Sequence, residues 1–185
     1  FGAQRKEGPC MKSIDIKRMV LAALFVAIGF LLPFLTGQIQ QIGNMLSPMH
    51  IPVLLCGFVC GPFWGLLVGA VTPLLRSLTL GMPPLMPVAV AMAFEMAAYG
   101  LAAGLLYRAL PRKTISVYIA LVAAMLIGRV VWGVAMYALT GGAFSMQAFL
   151  AGAFINAWPG IILHILLIPA IVIALERAKL IPLKG

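Results

Sequence analysis

Three charged side chains, Arg76, Glu95 and Arg129, stand inside long apolar runs of the sequence. A charge near the centre of a bilayer costs about 2.5 to 3.5 kcal/mol on insertion scales, so residues of this kind pair with one another or face a polar cavity. Glu95 lies about 11 residues from the start of one run and Arg129 about 11 from the end of the next, which at 1.5 Å per residue puts both about 16 Å deep. Equal depth permits an ion pair, and it equally permits both groups to meet a ligand. Arg76 has no acidic partner left in the sequence. Its guanidinium either snorkels to the headgroups or receives a carboxylate through two parallel hydrogen bonds. With one positive charge in excess, an anionic ligand is favoured over a cationic one.

Other polar groups at compatible heights supply hydrogen bonds. His50 opens an apolar run, and Asn156 lies about ten residues into the last one, where its amide either bonds to a ligand or bridges two helices. Gln38, Gln40, Gln41 and Asn44 populate the first polar loop. His164 lies two turns deeper than Asn156 and reads as a packing or helix-bonding histidine. Trp132 and Trp158 either stack on a ligand ring or fill the bundle. No metal site is expected: Cys56 and Cys60, one helical turn apart, read as small packing residues. Met49, Met82, Met86 and Met92 offer either adaptable lining or core filling.

The elements that position these residues follow from composition. Of 185 residues, 63% are hydrophobic and 9% charged, with a mean hydropathy of +1.11. That is too few solvated side chains for a water-soluble domain. Spanning helices need about 20 residues each. The apolar runs then give an all-α polytopic membrane protein with six transmembrane helices, near 17–35, 49–61, 62–80, 84–109, 115–139 and 147–176. The long run after His50 must break, and Gly61-Pro62 is where it breaks. Residues 1–10 precede a plausible start at Met11 and read as an added remnant or disordered leader, leaving 11–185 as a single domain.

Eleven of the 13 Lys and Arg residues fall in three clusters, Arg5 to Arg18, Arg108 to Lys113 and Arg177 to Lys184. Six spans bring all three to one side, the N- and C-termini included, and the positive-inside rule makes that side cytoplasmic. Five spans would put six of those eleven bases outside. The net charge of +9 therefore reports topology, and no nucleic-acid partner is expected.

Missing motifs exclude most chemistry. No lysine follows a glycine, so there is no phosphate-cradling Gly-Lys loop, and neither a His-Glu-x-x-His nor a Gly-x-Ser-x-Gly element occurs. The chain is not expected to be an enzyme, carries no cofactor, and must draw any ATP energy from partners. A stand-alone proton-coupled carrier of a small anion, using Glu95, is the alternative. In the first span, Ala23 and Ala27, with Gly29 close by, make a smooth strip for an approaching helix.

Together these features resemble the substrate-binding S components of energy-coupling factor (ECF) vitamin transporters. The resemblance runs from Met11 over nearly the whole chain. It is carried by the Ala23-x-x-x-Ala27 strip and by the stretches Ser47-Pro-Met-His-Ile-Pro-Val-Leu-Leu-Cys-Gly57, Gly81-Met-Pro-Pro-Leu-Met-Pro87 and Ala151-Gly-Ala-Phe-Ile-Asn-Ala-Trp-Pro-Gly160. These are similar to the broad group that includes pantothenate, pyridoxine and cobalamin-type carriers. The resemblance implies a multi-pass protein of a prokaryotic cytoplasmic membrane that binds a vitamin in its outer half. It further implies that the protein topples to deliver the vitamin on a transmembrane T subunit with two ATPases. Docking would fall to Ala23 and Ala27, and substrate binding to Gln38, Gln41, Asn44, His50, Arg76, Glu95, Arg129, Trp132 and Asn156. Pantothenate is the first expectation, because Arg76 suits one carboxylate and the amides suit its hydroxyl and amide groups.

Overall fold

The computed structural model describes residues 13–35, 47–111 and 113–178, and these are helical with no strand among them. In chain order the helices are α1 (Ser13–Leu35), α2 (His50–Cys60), α3 (Pro62–Leu80), α4 (Val90–Ala109), α5 (Thr114–Leu139), α6 (Met146–Leu150) and α7 (Trp158–Arg177). A wide helical turn, Leu85–Ala89, leads into α4, and a second, Ala151–Ile155, follows α6. Gly61 (φ 101°) ends α2, and Pro62 starts α3 at the position where a missing N–H costs nothing. Gly81 in the left-handed conformation caps α3, its N–H donating to the Ser77 carbonyl.

Among the described residues five stretches have the length and hydropathy to cross a bilayer: Ile16–Phe34, Pro62–Leu80, Leu85–Ala109, Thr114–Leu139 and Trp158–Arg177. The segment expected to cross at 49–61 forms only the 11 residues of α2. At about 1.5 Å each that is about 16 Å, half a hydrocarbon core. Ten of those residues are buried, so α2 is a half-length helix enclosed by the others rather than a lipid-facing span. The last expected span, 147–176, is likewise not continuous. It breaks in a turn at Asn156 and Ala157, and only α7 beyond it has crossing length.

Glycine sets how closely the central helices approach. A methyl group on Gly100 of α4 would sit 2.1 Å from the Gly65 carbonyl oxygen of α3, and one on Gly69 would sit 2.2 Å from that of Met96. A methyl group on Gly57 of α2 would sit 2.5 Å from the Gly100 carbonyl oxygen, and one on Gly104 would sit 2.5 Å from the Pro62 nitrogen. Contacts this short are backbone on backbone, and only hydrogen fits. Cys56 and Cys60 are buried in this core, in keeping with a packing role.

Side chains close the same end. Arg108 lies against Gly61, Cys60 is within electrostatic reach of Arg18, and the Tyr107 hydroxyl donates to Glu176, tying α4 to α7. The basic residues Arg18, Arg108 and Arg177 therefore share one end of the bundle. On α1, Ala22, Gly29 and Pro33 face inward, while Ala23 and Ala27 are exposed with Leu24 and Leu31. Gly29, expected to extend the outward strip, instead seats against Pro52 and Thr72.

Candidate functional site

Counting helix residues up from the basic end puts His50, Glu95, Arg129 and His164 at similar heights, roughly 15 to 23 Å, and the side chains meet there. Glu95 on α4 is 2% exposed. Arg129 of α5 holds its carboxylate at 3.0 Å, and Tyr99, one turn further along α4, donates its hydroxyl to the same oxygen at 2.9 Å. The Tyr99 ring lies on Gly128, where any Cβ would stand 2.3 Å from it. That missing side chain lets α5 come close enough for the adjacent Arg129 to reach. The equal depth read from the sequence is thus an ion pair, though removing either partner would strand a buried charge.

His50 joins the same layer from α2. Because α2 is half-length, its first residue reaches only mid-depth, and the positive end of the helix dipole faces the carboxylate layer. His50 Nδ1 lies 3.2 Å from the Ser47 carbonyl, and Nε2 is 3.8 Å from Glu95, too long for a hydrogen bond. Its ring packs edge-on to Tyr99 at 5.2 Å and lies 6.1 Å from His164. His50 Nε2, His164 Nε2 and Arg129 Nε are all buried without a hydrogen-bond partner. Buried polar atoms are nearly always satisfied in native proteins, so three such atoms in one layer point to a missing partner that accepts from Arg129 and bonds to the imidazoles. Among the described residues no group of three His, Cys, Asp or Glu side chains could hold a metal.

Arg76 stands apart from this layer. Along α3 and α4, Gly65 opposes Gly100 and Gly69 opposes Met96, and continuing that antiparallel register places Arg76 opposite Ala89. This is six residues beyond Glu95, about 9 Å further from the basic end. Arg76 is 8% exposed, so its side chain is turned into the bundle. Its Nε donates to the Met82 carbonyl at 3.2 Å and its guanidinium lies over Phe34, 6.0 Å from the ring centre. Nη1 is buried with no partner.

The other expected residues distribute differently. Trp132 packs against Phe144 and Phe149, and its ring edge fills the space over Gly152, so the indole is already engaged. Asn156 lies in the turn between the last wide helical turn and α7, exposed, not within a helix. Gln38, Gln40, Gln41 and Asn44 lie outside the described residues. Tyr99 and His164 complete the layer beyond what the sequence reading assigned. For Tyr99 the signal was its spacing of four from Glu95; for His164 the break at Asn156 had hidden its height.

An all-helical membrane bundle with charged and unsatisfied groups enclosed at mid-depth is the architecture of a protein that holds a solute within the membrane. The family model described as ECF transporter, substrate-specific component matches residues 17–172, and the chain belongs to that family. This is a transporter component family, not an enzyme family. No curated protein and no solved structure matches the chain.

Proposed function

We propose that this chain is the vitamin-binding S component of an ECF transporter in a prokaryotic cytoplasmic membrane, working with a transmembrane T subunit and two ATPase subunits that supply the ATP energy. Both chain ends lie on the cytoplasmic side with the basic helix ends, and α2 counts as a half-length sixth passage. Substrate binds beyond Glu95, away from the basic end, and toppling on the T subunit delivers it. The observation that carries this reading is the set of buried, unpartnered nitrogens on Arg76, Arg129 and the two histidines. A substrate-specific component needs such groups unsatisfied until its ligand arrives.

The substrate class that fits is a small anion with amide or hydroxyl groups, with pantothenate first. Gln38, Gln41, Asn44 and Asn156 are proposed to contribute from the loops. Thermal unfolding of ligand-stripped protein against a panel of water-soluble vitamins tests it, since a ligand at 100 times its dissociation constant stabilises by about 2.7 kcal/mol. One strong responder supports the reading, and a flat panel sinks it. Docking is tested separately. Ala23→Leu and Ala27→Leu should leave the isolated protein folded yet abolish co-purification with the T subunit and ATPases. Retained co-purification would remove α1 from the docking surface.

A further inference from the structure

We infer that the substrate is an elongated monoanion bound end-on, its carboxylate or phosphate on Arg76 and its neutral hydrogen-bonding end against His164 and Arg129, about 9 Å deeper. This rests on the reading of the chain as a substrate-binding component.

Charge decides the orientation. At the deeper level Arg129 and Glu95 cancel through their 3.0 Å contact, and what remains free is hydrogen-bonding capacity: Nε of Arg129 and Nε2 of His50 and His164. A second carboxylate there would meet Glu95 in a water-poor layer, where like charges repel strongly. At the upper level Arg76 has one backbone carbonyl, one ring face and no acid. Of the four acids in the chain, Glu95 occupies the level below, Asp15 and Glu176 lie at the basic ends of α1 and α7, and Glu7 falls outside the described residues. Arg76 as a residue is 8% exposed, and its Nη1 is buried and unpartnered. A buried, uncompensated cation is costly, and an anion supplies both the missing charge and the missing acceptor.

Arg76 also tethers the turn after α3 through Met82, so a purely structural role has to be separated from binding. Ser77 provides the control, because its hydroxyl donates to the Pro83 carbonyl at 2.7 Å and holds the same turn without charge.

Two probes in dodecyl maltoside, free of phospholipid, test the assignment. The first is acetate, read as a shift in unfolding temperature against chloride at equal ionic strength. Wild type and Ser77→Ala should be stabilised, Arg76→Lys less so, and Arg76→Gln not at all. The second is a set of vitamin acids each paired with a neutral analogue, such as pantothenate with panthenol. The acid that binds should exceed its neutral partner by at least about 100-fold in wild type, about two decades of affinity for a charge-assisted bidentate contact. That ratio should fall to within about threefold in Arg76→Gln. His164→Ala should weaken both members of the pair by the same factor. An acetate shift that survives in Arg76→Gln, or a neutral analogue that matches its acid on wild type, overturns the inference. A panel with no binder overturns the vitamin reading, while the acetate probe still decides whether Arg76 takes an anion. Repeating the acetate titration in phosphatidylcholine nanodiscs separates the sources: a shift abolished there assigns Arg76 to a lipid phosphate and overturns the solute assignment.

Discussion

Between Gly57 and Gly104 the helices touch backbone to backbone, whereas from the Glu95 level outward α2 has ended, two wide helical turns interrupt the helices and buried nitrogens lack partners. The basic half bonds across its helices, as Tyr107 does with Glu176, and of its described residues only Arg18 keeps a buried nitrogen unused. The other half leaves Arg76, Arg129, His50 and His164 each with an unused nitrogen. In a bilayer both choices have a physical reason. Small residues gain dispersion contacts where the hydrophobic effect offers no drive between helices, and unsatisfied groups persist only where something outside the chain completes them. A rigid half supporting an unsatisfied half is how binding geometry is held ready for a ligand.

The largest expected effect strikes the rigid half. Gly100→Ala drives a methyl into the Gly65 backbone and should cost about 3 kcal/mol or more, seen as loss of monodisperse protein on size exclusion. Survival of a normally folded Gly100→Ala protein would show that α3 and α4 can separate, and the contrast between the halves would fail.

Next comes the ion pair that anchors the polar half. Glu95→Gln leaves Arg129 buried and uncompensated and should cost about 3 to 5 kcal/mol in thermal unfolding. Adding Arg129→Gln should recover part of that loss, and the double-mutant cycle isolates the coupling. Strict additivity would mean that the two charges are solvated independently and that no closed layer exists.

Smaller changes sharpen the picture. Tyr99→Phe removes a buried hydroxyl bonded to a carboxylate and should cost about 1.5 to 3 kcal/mol. Tyr107→Phe removes the counterpart at the basic end, only part-buried, and should cost about 1 kcal/mol. Equal losses would show that the polar layer is no drier than the membrane-edge network.

Much of the site was legible because its cost was legible: Arg76, Glu95 and Arg129 stand out in any apolar run, and counting residues placed two of them at one depth. The Gly61-Pro62 break was legible for the same kind of reason, since no helix continues through that pair. Trp132 was not, because a ring that packs against Phe149 and a ring that awaits a ligand have the same sequence. Asn156 was misplaced because a periodic apolar run does not show where a helix opens into a turn.

The order of residues along the chain was enough to give the membrane class, the helical break at Gly61-Pro62, the grouping of basic residues and the excess of one cation over acids within the apolar runs. These follow from composition and local chemistry, which act within a few residues. Helix packing is what stops α2 halfway, gives Glu95 to Arg129 and Tyr99 while Arg76 meets no acid among the described residues, and brings His164 to the layer. Each of those depends on how closely two helices approach, and that distance is set by residues such as Gly100 and Gly128 on a neighbouring helix.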